Sequence, residues 1–349
     1  MAVPILLFIL GFVLLIKGGD WFVDGATGIA HRFHLPELLI GATVVSIGTT
    51  LPEVMVSSQA AAIGNSGISY GNAIGSIICN TSLIAALTVA IRPSRVNKKA
   101  LILPVAAFFI SAAIYAGIAY LRGSFTRLDG IVFLAMFVVY MAVTVWQMKR
   151  NPEGAAPAEA EAGAEEGKNK EGKNKEGKSG KDKSGEEKSA EDSPLWKELV
   201  FLVVGAAAIA IGANLLVENG TKIAQWLGVP DSVIGLTMVA LGTSLPELVT
   251  AITSLAKGHG ALSLGNVIGA NLFNIVLVSG MAITIHPFAI PAEKTIAGIN
   301  ASLLIDIPLM FIVMIILCVP PLIKGRLKRW QGILLLALYA GFMVFQFVR

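Results

Sequence analysis

Two glutamates carry the chemistry that stands out in this 349-residue chain. Glu53 and Glu247 each lie inside a long apolar run, at the ends of the matching strings GTTLPE (48–53) and GTSLPE (242–247). A carboxylate held within a bilayer is costly unless it faces a partner or a cavity. No Lys or Arg occupies the central part of any apolar run to neutralise them, so the pair reads as a cation site. The same two strings supply hydroxyls at Thr49, Thr50, Thr243 and Ser244. Pro52 and Pro246 each lack an N–H and crowd the carbonyl four residues back, which predicts helices broken near Gly48 and Gly242, with freed carbonyls lining a cavity. A set built only from hard oxygen donors suits calcium better than zinc or copper.

A second pair of motifs lies about twenty residues downstream of each glutamate. GNAIG (71–75) and GNVIG (265–269) place glycines four apart, which flattens one helix face and reads as close helix packing. Spacing by four puts Asn72, Ser76 and Asn80 near one face, where they could offer amide and hydroxyl oxygens to the cavity. Asn266 and Asn274 are their counterparts in the second motif. For the asparagines, hydrogen bonding between helices is the competing role.

These motifs are two copies of one unit. A shift of 194 residues lays 41–80 on 235–274 without a gap, and sixteen of the forty positions are identical, including both glutamates, both prolines and the GN pairs. Apolar stretches able to span a bilayer run near 3–22, 37–63, 68–91, 101–120 and 128–148, and again near 197–217, 231–256, 262–285, 296–319 and 330–348. Five crossings per copy is an odd number, so the second copy must enter the membrane from the opposite side. The expected fold is therefore an all-α membrane protein of ten transmembrane helices, arranged as two inverted five-helix repeats. Its expected divisions are a first repeat at 1–150, a linker at 151–194 and a second repeat at 195–349.

Composition agrees. The chain is 55% hydrophobic and only 14% charged, against about 25% charged in ordinary soluble domains. Residues 151–194 alone hold eight Lys and twelve Asp or Glu, a low-complexity stretch that reads as a disordered tether. Cys79 and Cys318 lie in apolar runs and form no disulfide framework or zinc motif, and no phosphate-binding loop is present. No nucleophile and base are paired in the spans, so the chain does not read as an enzyme. No cofactor or nucleic-acid partner is expected; the bilayer is the expected surrounding. With the N-terminus outside, cytoplasmic short loops hold ten basic residues, among them Arg32, Arg92, Arg95, Lys98, Lys257 and Arg326, against five outside. That predicts a multi-pass protein of the cell membrane, with both termini outside and the linker in the cytoplasm.

GATVVSIGTTLPE with GNAIGSIICN, and GLTMVALGTSLPE with GNVIGANLFN, closely resemble the paired repeats of the cation/calcium exchanger superfamily, and within it the prokaryotic sodium/calcium exchangers. The resemblance implies an antiporter that exports calcium in exchange for sodium by alternating access, the two ions competing for one cavity. It implies that Glu53 and Glu247 are shared carboxylates, that Thr49 and Thr243 add calcium ligands, and that Ser46 and Ala240 give backbone carbonyls to two sodium sites, with Ser76 assisting the first. Asn80 and Asn274 would face the central position. Two departures matter. Ala270 stands where archaeal relatives commonly have serine, so one sodium site lacks a hydroxyl. Asn274 stands where potassium-dependent relatives carry aspartate, which argues against potassium cotransport. Proton/calcium exchange and a passive cation channel are the alternative functions.

Overall fold

The computed structural model describes residues 2–150, 194–227, 242–291, 295–296 and 298–348. The expected tether and the first part of the second repeat motif, including Ala240, lie outside the described residues. The rest is almost wholly helical: α1 (Ala2–Arg32), α2 (Glu37–Ala62), α3 (Ser66–Ile91), α4 (Lys98–Arg122), α5 (Arg127–Arg150), α6 (Leu195–Trp226), α7 (Leu245–Ala256), α8 (Gly260–Ile285), α9 (Ser302–Lys324) and α10 (Arg329–Val348). Among the described residues, α1 to α6, α8 and α9 are long and apolar enough to cross a membrane.

Helices α2, α3 and α8 form the centre, and α8 has the most completely buried central stretch. On one flank α1 and α6 pack against each other along their length. Gly11, Gly18, Gly205 and Gly212 make this possible: a methyl at Gly11 would strike the Gly212 carbonyl, and one at Gly18 would crowd the backbone around Gly205. The outer faces of the pair are apolar and exposed, as at Phe12, Ile16 and Val203. A second contact of this kind locks α8 to α2. Any side chain at Gly265 or Gly269 would overlap the backbone of Leu38 or Ala42. The packing role expected of the GN motif glycines is thus seen in its second copy. For Gly71 and Gly75 the equivalent partners would be 232 and 236, outside the described residues.

Three central helices contain a widened π turn, at Gly41–Val45 in α2, Asn80–Ala85 in α3 and Asn274–Ser279 in α8. The last two stand at equivalent places in the repeat, and each begins on an asparagine. Such turns interrupt the regular ladder and are frequent at functional sites.

The proline expectation needs correcting in the first repeat. Helix α2 runs unbroken from Ser46 through Pro52 to Ala62. Its irregular turn lies upstream, where Ser46 Oγ is 2.7 Å from the Gly41 carbonyl and Tyr140 donates to the Ala42 carbonyl at 3.1 Å. The helix continues through Pro52 even though that residue has no N–H to give to the ladder. In the second repeat the described chain turns just before its proline. Thr243 and Ser244 form a turn, and α7 begins at Leu245 with Pro246 in its first positions, where a missing N–H costs little.

One expected span also starts late. Thr295–Ile296 and Ile299–Asn300 form a small antiparallel hairpin with Gly298 at φ +79°, and α9 begins at Ser302, not near 296. Asn300 Oδ1 accepts from Ser302 N at 2.9 Å and starts the helix there.

Candidate cation site

Glu53 is fully buried on α2, one turn beyond Thr49 and Thr50, which are buried with it. Glu247 is fully buried in the first turn of α7. The two carboxylates are near enough to repel each other. Among the described residues no basic group pairs with either, and neither accepts a hydrogen bond of ordinary geometry, although the Thr49 hydroxyl stands beside Glu247. Two like charges in one buried place require a cation or protons to balance them.

The threonines are held across the repeat boundary. Thr49 donates to Asn266 Oδ1 at 3.1 Å, and Thr243 donates to Asn72 Oδ1 at 3.3 Å. Each threonine hydrogen is committed to an amide of the other half, which leaves the threonine oxygen to offer lone pairs elsewhere. Ser46 Oγ also reaches the Asn266 carbonyl at 3.0 Å, and the Thr49 hydroxyl sits 3.5 Å from the Ser46 carbonyl. Asn72 and Asn266 thus take the competing role the sequence offered them, hydrogen bonding between helices, and the groups they hold are the threonines. Their spacing of 194 residues, equal to that of the threonines, was the signal available for this role.

The remaining oxygens converge by packing. The π turn that begins at Asn274 packs on α2, and the one that begins at Asn80 packs on α7. Both asparagines are fully buried, and neither their side-chain oxygens nor their nitrogens have a partner among the described residues. The same holds for the Thr50 and Ser244 hydroxyls. Buried polar atoms are normally satisfied, so a concentration of orphans around two carboxylates has the character of a ligand site. Ser76 is buried one turn before Asn80 on α3. Ala240 lies outside the described residues. A narrow crevice lined by Phe22, Gly48, Thr49, Pro52, Ala206 and Pro246 lies between α1, α6 and the two glutamate helices.

The halves are not identical. Asn72 Nδ2 donates to Ser57 Oγ at 2.8 Å and to the Glu53 carbonyl at 3.2 Å. The counterpart of Ser57 is Ala251, and the Asn266 Nδ2 group has no partner among the described residues.

Comparison with known proteins agrees with this geometry. The model of the sodium/calcium exchanger protein family matches residues 3–146 and 197–348. Membrane protein MJ0091 of Methanocaldococcus jannaschii is 35% identical over 338 residues, covering 95% of this chain and 94% of its own length. Sodium/calcium exchanger MaX1 of Methanosarcina acetivorans is 34% identical over 369 residues, covering 99% of both. The solved structure of the sodium-calcium exchanger NCX_Mj soaked with sodium and strontium superposes with a TM-score of 0.76 at 30% identity, covering 98% of each chain. The chain belongs to the sodium/calcium exchanger family.

Proposed function

We propose that this exchanger couples calcium export to sodium influx by alternating access at a single site between its two repeats. The observation that carries the reading is the pairing of Glu53 with Glu247: two fully buried carboxylates, close together and lacking a basic partner among the described residues. Two negative charges match one calcium ion, and sodium ions need the same charges. Each ion is therefore bound only when the other is absent, and exchange follows when the site reorients only with its two buried charges neutralised. The relative NCX_Mj, a sodium-calcium exchanger, was soaked with sodium together with calcium or strontium.

In this reading Glu53, Glu247, Thr49 and Thr243 hold calcium. The Ser46 and Ala240 carbonyls and the Ser76 hydroxyl serve sodium, while Asn80, Asn274, Thr50 and Ser244 complete the cavity wall. The reading keeps ten helices in two inverted sets, which takes α10 and the expected span at 231–256 as crossings, residues 231–241 of the latter lying outside the described residues. The two sets are 1–150 and 195–349, joined by the linker 151–194. The clustering of Arg92, Arg95, Lys98, Lys324, Arg326 and Arg329 at one end supports a cytoplasmic location for that end, with both termini outside.

Calcium flux into everted vesicles with sodium, potassium or proton gradients imposed singly tests the proposal. Uptake driven only by sodium is the expected result. Uptake driven by protons would make the glutamates proton carriers, and flux without any counter-ion would make the protein a channel.

A further inference from the structure

We propose that the end of the bundle formed by the α3–α4 and α9–α10 loops binds the phosphate of anionic phospholipids. The inference rests on membrane embedding alone and not on the coupling ion, so it stands or falls separately from the exchange reading.

The two loops are zipped into one platform. Val96 N donates to the Gly325 carbonyl and Leu327 N to the Ser94 carbonyl, both at 2.9 Å, with Arg95 facing Arg326 between them. This brings Arg92, Arg95, Lys98, Lys324, Arg326 and Arg329, all exposed, onto one rim. Neither 91–100 nor 322–331 contains an acid. Other basic residues near helix ends have carboxylates to meet: Lys257 pairs with Asp24 at 2.7 Å, and Arg122 pairs with Asp129. No ion pair joins Arg92, Lys98, Lys324, Arg326 or Arg329 to a carboxylate among the described residues. Five positive charges held together with no carboxylate paired to them among the described residues call for an anion.

The surroundings say which anion. Directly beside the rim, Trp330, Ile91 and Ile323 are 51%, 58% and 67% exposed. An exposed tryptophan between cations and bare aliphatic side chains marks the headgroup level of a bilayer. A free anion would meet only the cations, whereas a phospholipid also covers the aliphatic surface. A shallow crevice at Arg92, lined by Thr88, Ser94, Ser263 and Leu327, opens beside the rim. Ser263, at its floor, is buried, and its hydroxyl has no partner among the described residues. Arg92 would donate to phosphate oxygens while the rim supplies the field.

Native mass spectrometry of the purified full chain, titrated with phosphatidylglycerol or phosphatidylcholine, tests the proposal. Phosphatidylglycerol should be retained preferentially. The double variant Arg92→Gln with Arg329→Gln should weaken that retention by about 25-fold, at about fivefold per charge. Arg92→Lys with Arg329→Lys should keep most of it, and Arg122→Gln at the opposite end should leave it unchanged. Circular dichroism confirms that each variant is folded, and the lysine pair answers for the site if the glutamine pair is not. Equal retention of the two lipids, or a preference unchanged in the glutamine variant, would overturn the proposal. So would displacement of the lipid by inorganic phosphate at similar concentration, which would mean a free-anion site. Binding that appears only after deletion of residues 155–190 would assign the rim to the chain's own acidic stretch and overturn it as well.

Discussion

The Thr49 hydroxyl donates to Asn266 Oδ1 across 3.1 Å, joining the glutamate helix of one repeat to the GN helix of the other. The pair Thr243 and Asn72 repeats the bond at 3.3 Å. Each asparagine fixes a threonine that belongs to the other half, so neither half can orient its own hydroxyl alone. This makes a direct prediction. Asn266→Leu frees the Thr49 hydroxyl to rotate, and the loss of one hydrogen bond, about 1 kcal/mol, should lower apparent calcium affinity roughly fivefold. Thr49→Val in the same protein should add less than it does alone. Full additivity of the two changes in calcium titrations of flux would show that the bond does not orient the site.

The carboxylates give the largest expected effect. Glu53→Gln or Glu247→Gln preserves size and one acceptor but leaves a calcium ion with a single negative charge. Each variant should lose nearly all sodium-driven calcium uptake while remaining folded, since it also relieves repulsion between two buried charges. Wild-type uptake in either variant would sink the shared-site model.

The asymmetry at Asn266 can be repaired. Its Nδ2 lacks the hydroxyl that Ser57 gives to Asn72, because Ala251 occupies the matching place, fully buried. Ala251→Ser should supply that acceptor and raise stability by about 1 kcal/mol, while Ser57→Ala should cost a similar amount. Thermal unfolding in one detergent measures both. Destabilisation by Ala251→Ser would show that the site has no room for the oxygen.

Much of this was legible in the sequence because a gapless duplication filters out coincidence. One isolated Pro–Glu pair in an apolar run says little, whereas Glu53 and Glu247 at matching positions single out two acids, and the fold buries both completely. The course of the backbone was less legible. Local chemistry predicts a break at Pro52, but the helix continues through it, and the irregular turn falls instead at 41–45, where Gly265 and Gly269 bring α8 onto Leu38, Ala42 and Ser46. The same proline chemistry does interrupt the chain before Glu247, where proline falls at a helix start. The π turns at Asn80 and Asn274 leave no mark in residue type. A widened turn is a property of what the helix packs against, and a single sequence does not record that. The late start of α9 follows from Gly298, whose positive φ turns a hairpin where apolar content alone suggested continuous helix.

The hydroxyl difference between Ser76 and Ala270 makes a separate prediction. Both side chains are buried at equivalent positions, one turn before Asn80 and Asn274, and only Ser76 has an oxygen to give. Ser76→Ala should raise the sodium concentration needed for half-maximal exchange several-fold and disturb calcium affinity much less. Ala270→Ser should shift the sodium curve in the opposite direction. Sodium titrations unchanged in both variants would mean that neither side chain touches transported sodium.

The energetics of calcium export set the number of sodium ions. At about 100 mV, moving two positive charges outward costs roughly 4.6 kcal/mol. An assumed ten-thousandfold calcium gradient adds roughly 5.5 kcal/mol at about 1.4 per decade. A sodium ion entering down an assumed tenfold gradient at the same potential returns about 3.7 kcal/mol. Two sodium ions fall short of the sum and three exceed it, so export under such conditions moves one net positive charge inward per cycle. Calcium efflux from vesicles clamped with potassium and valinomycin should therefore speed up as the interior is made negative. Flux that ignores the clamp would show a neutral exchange of two sodium ions for one calcium, which could not hold that gradient.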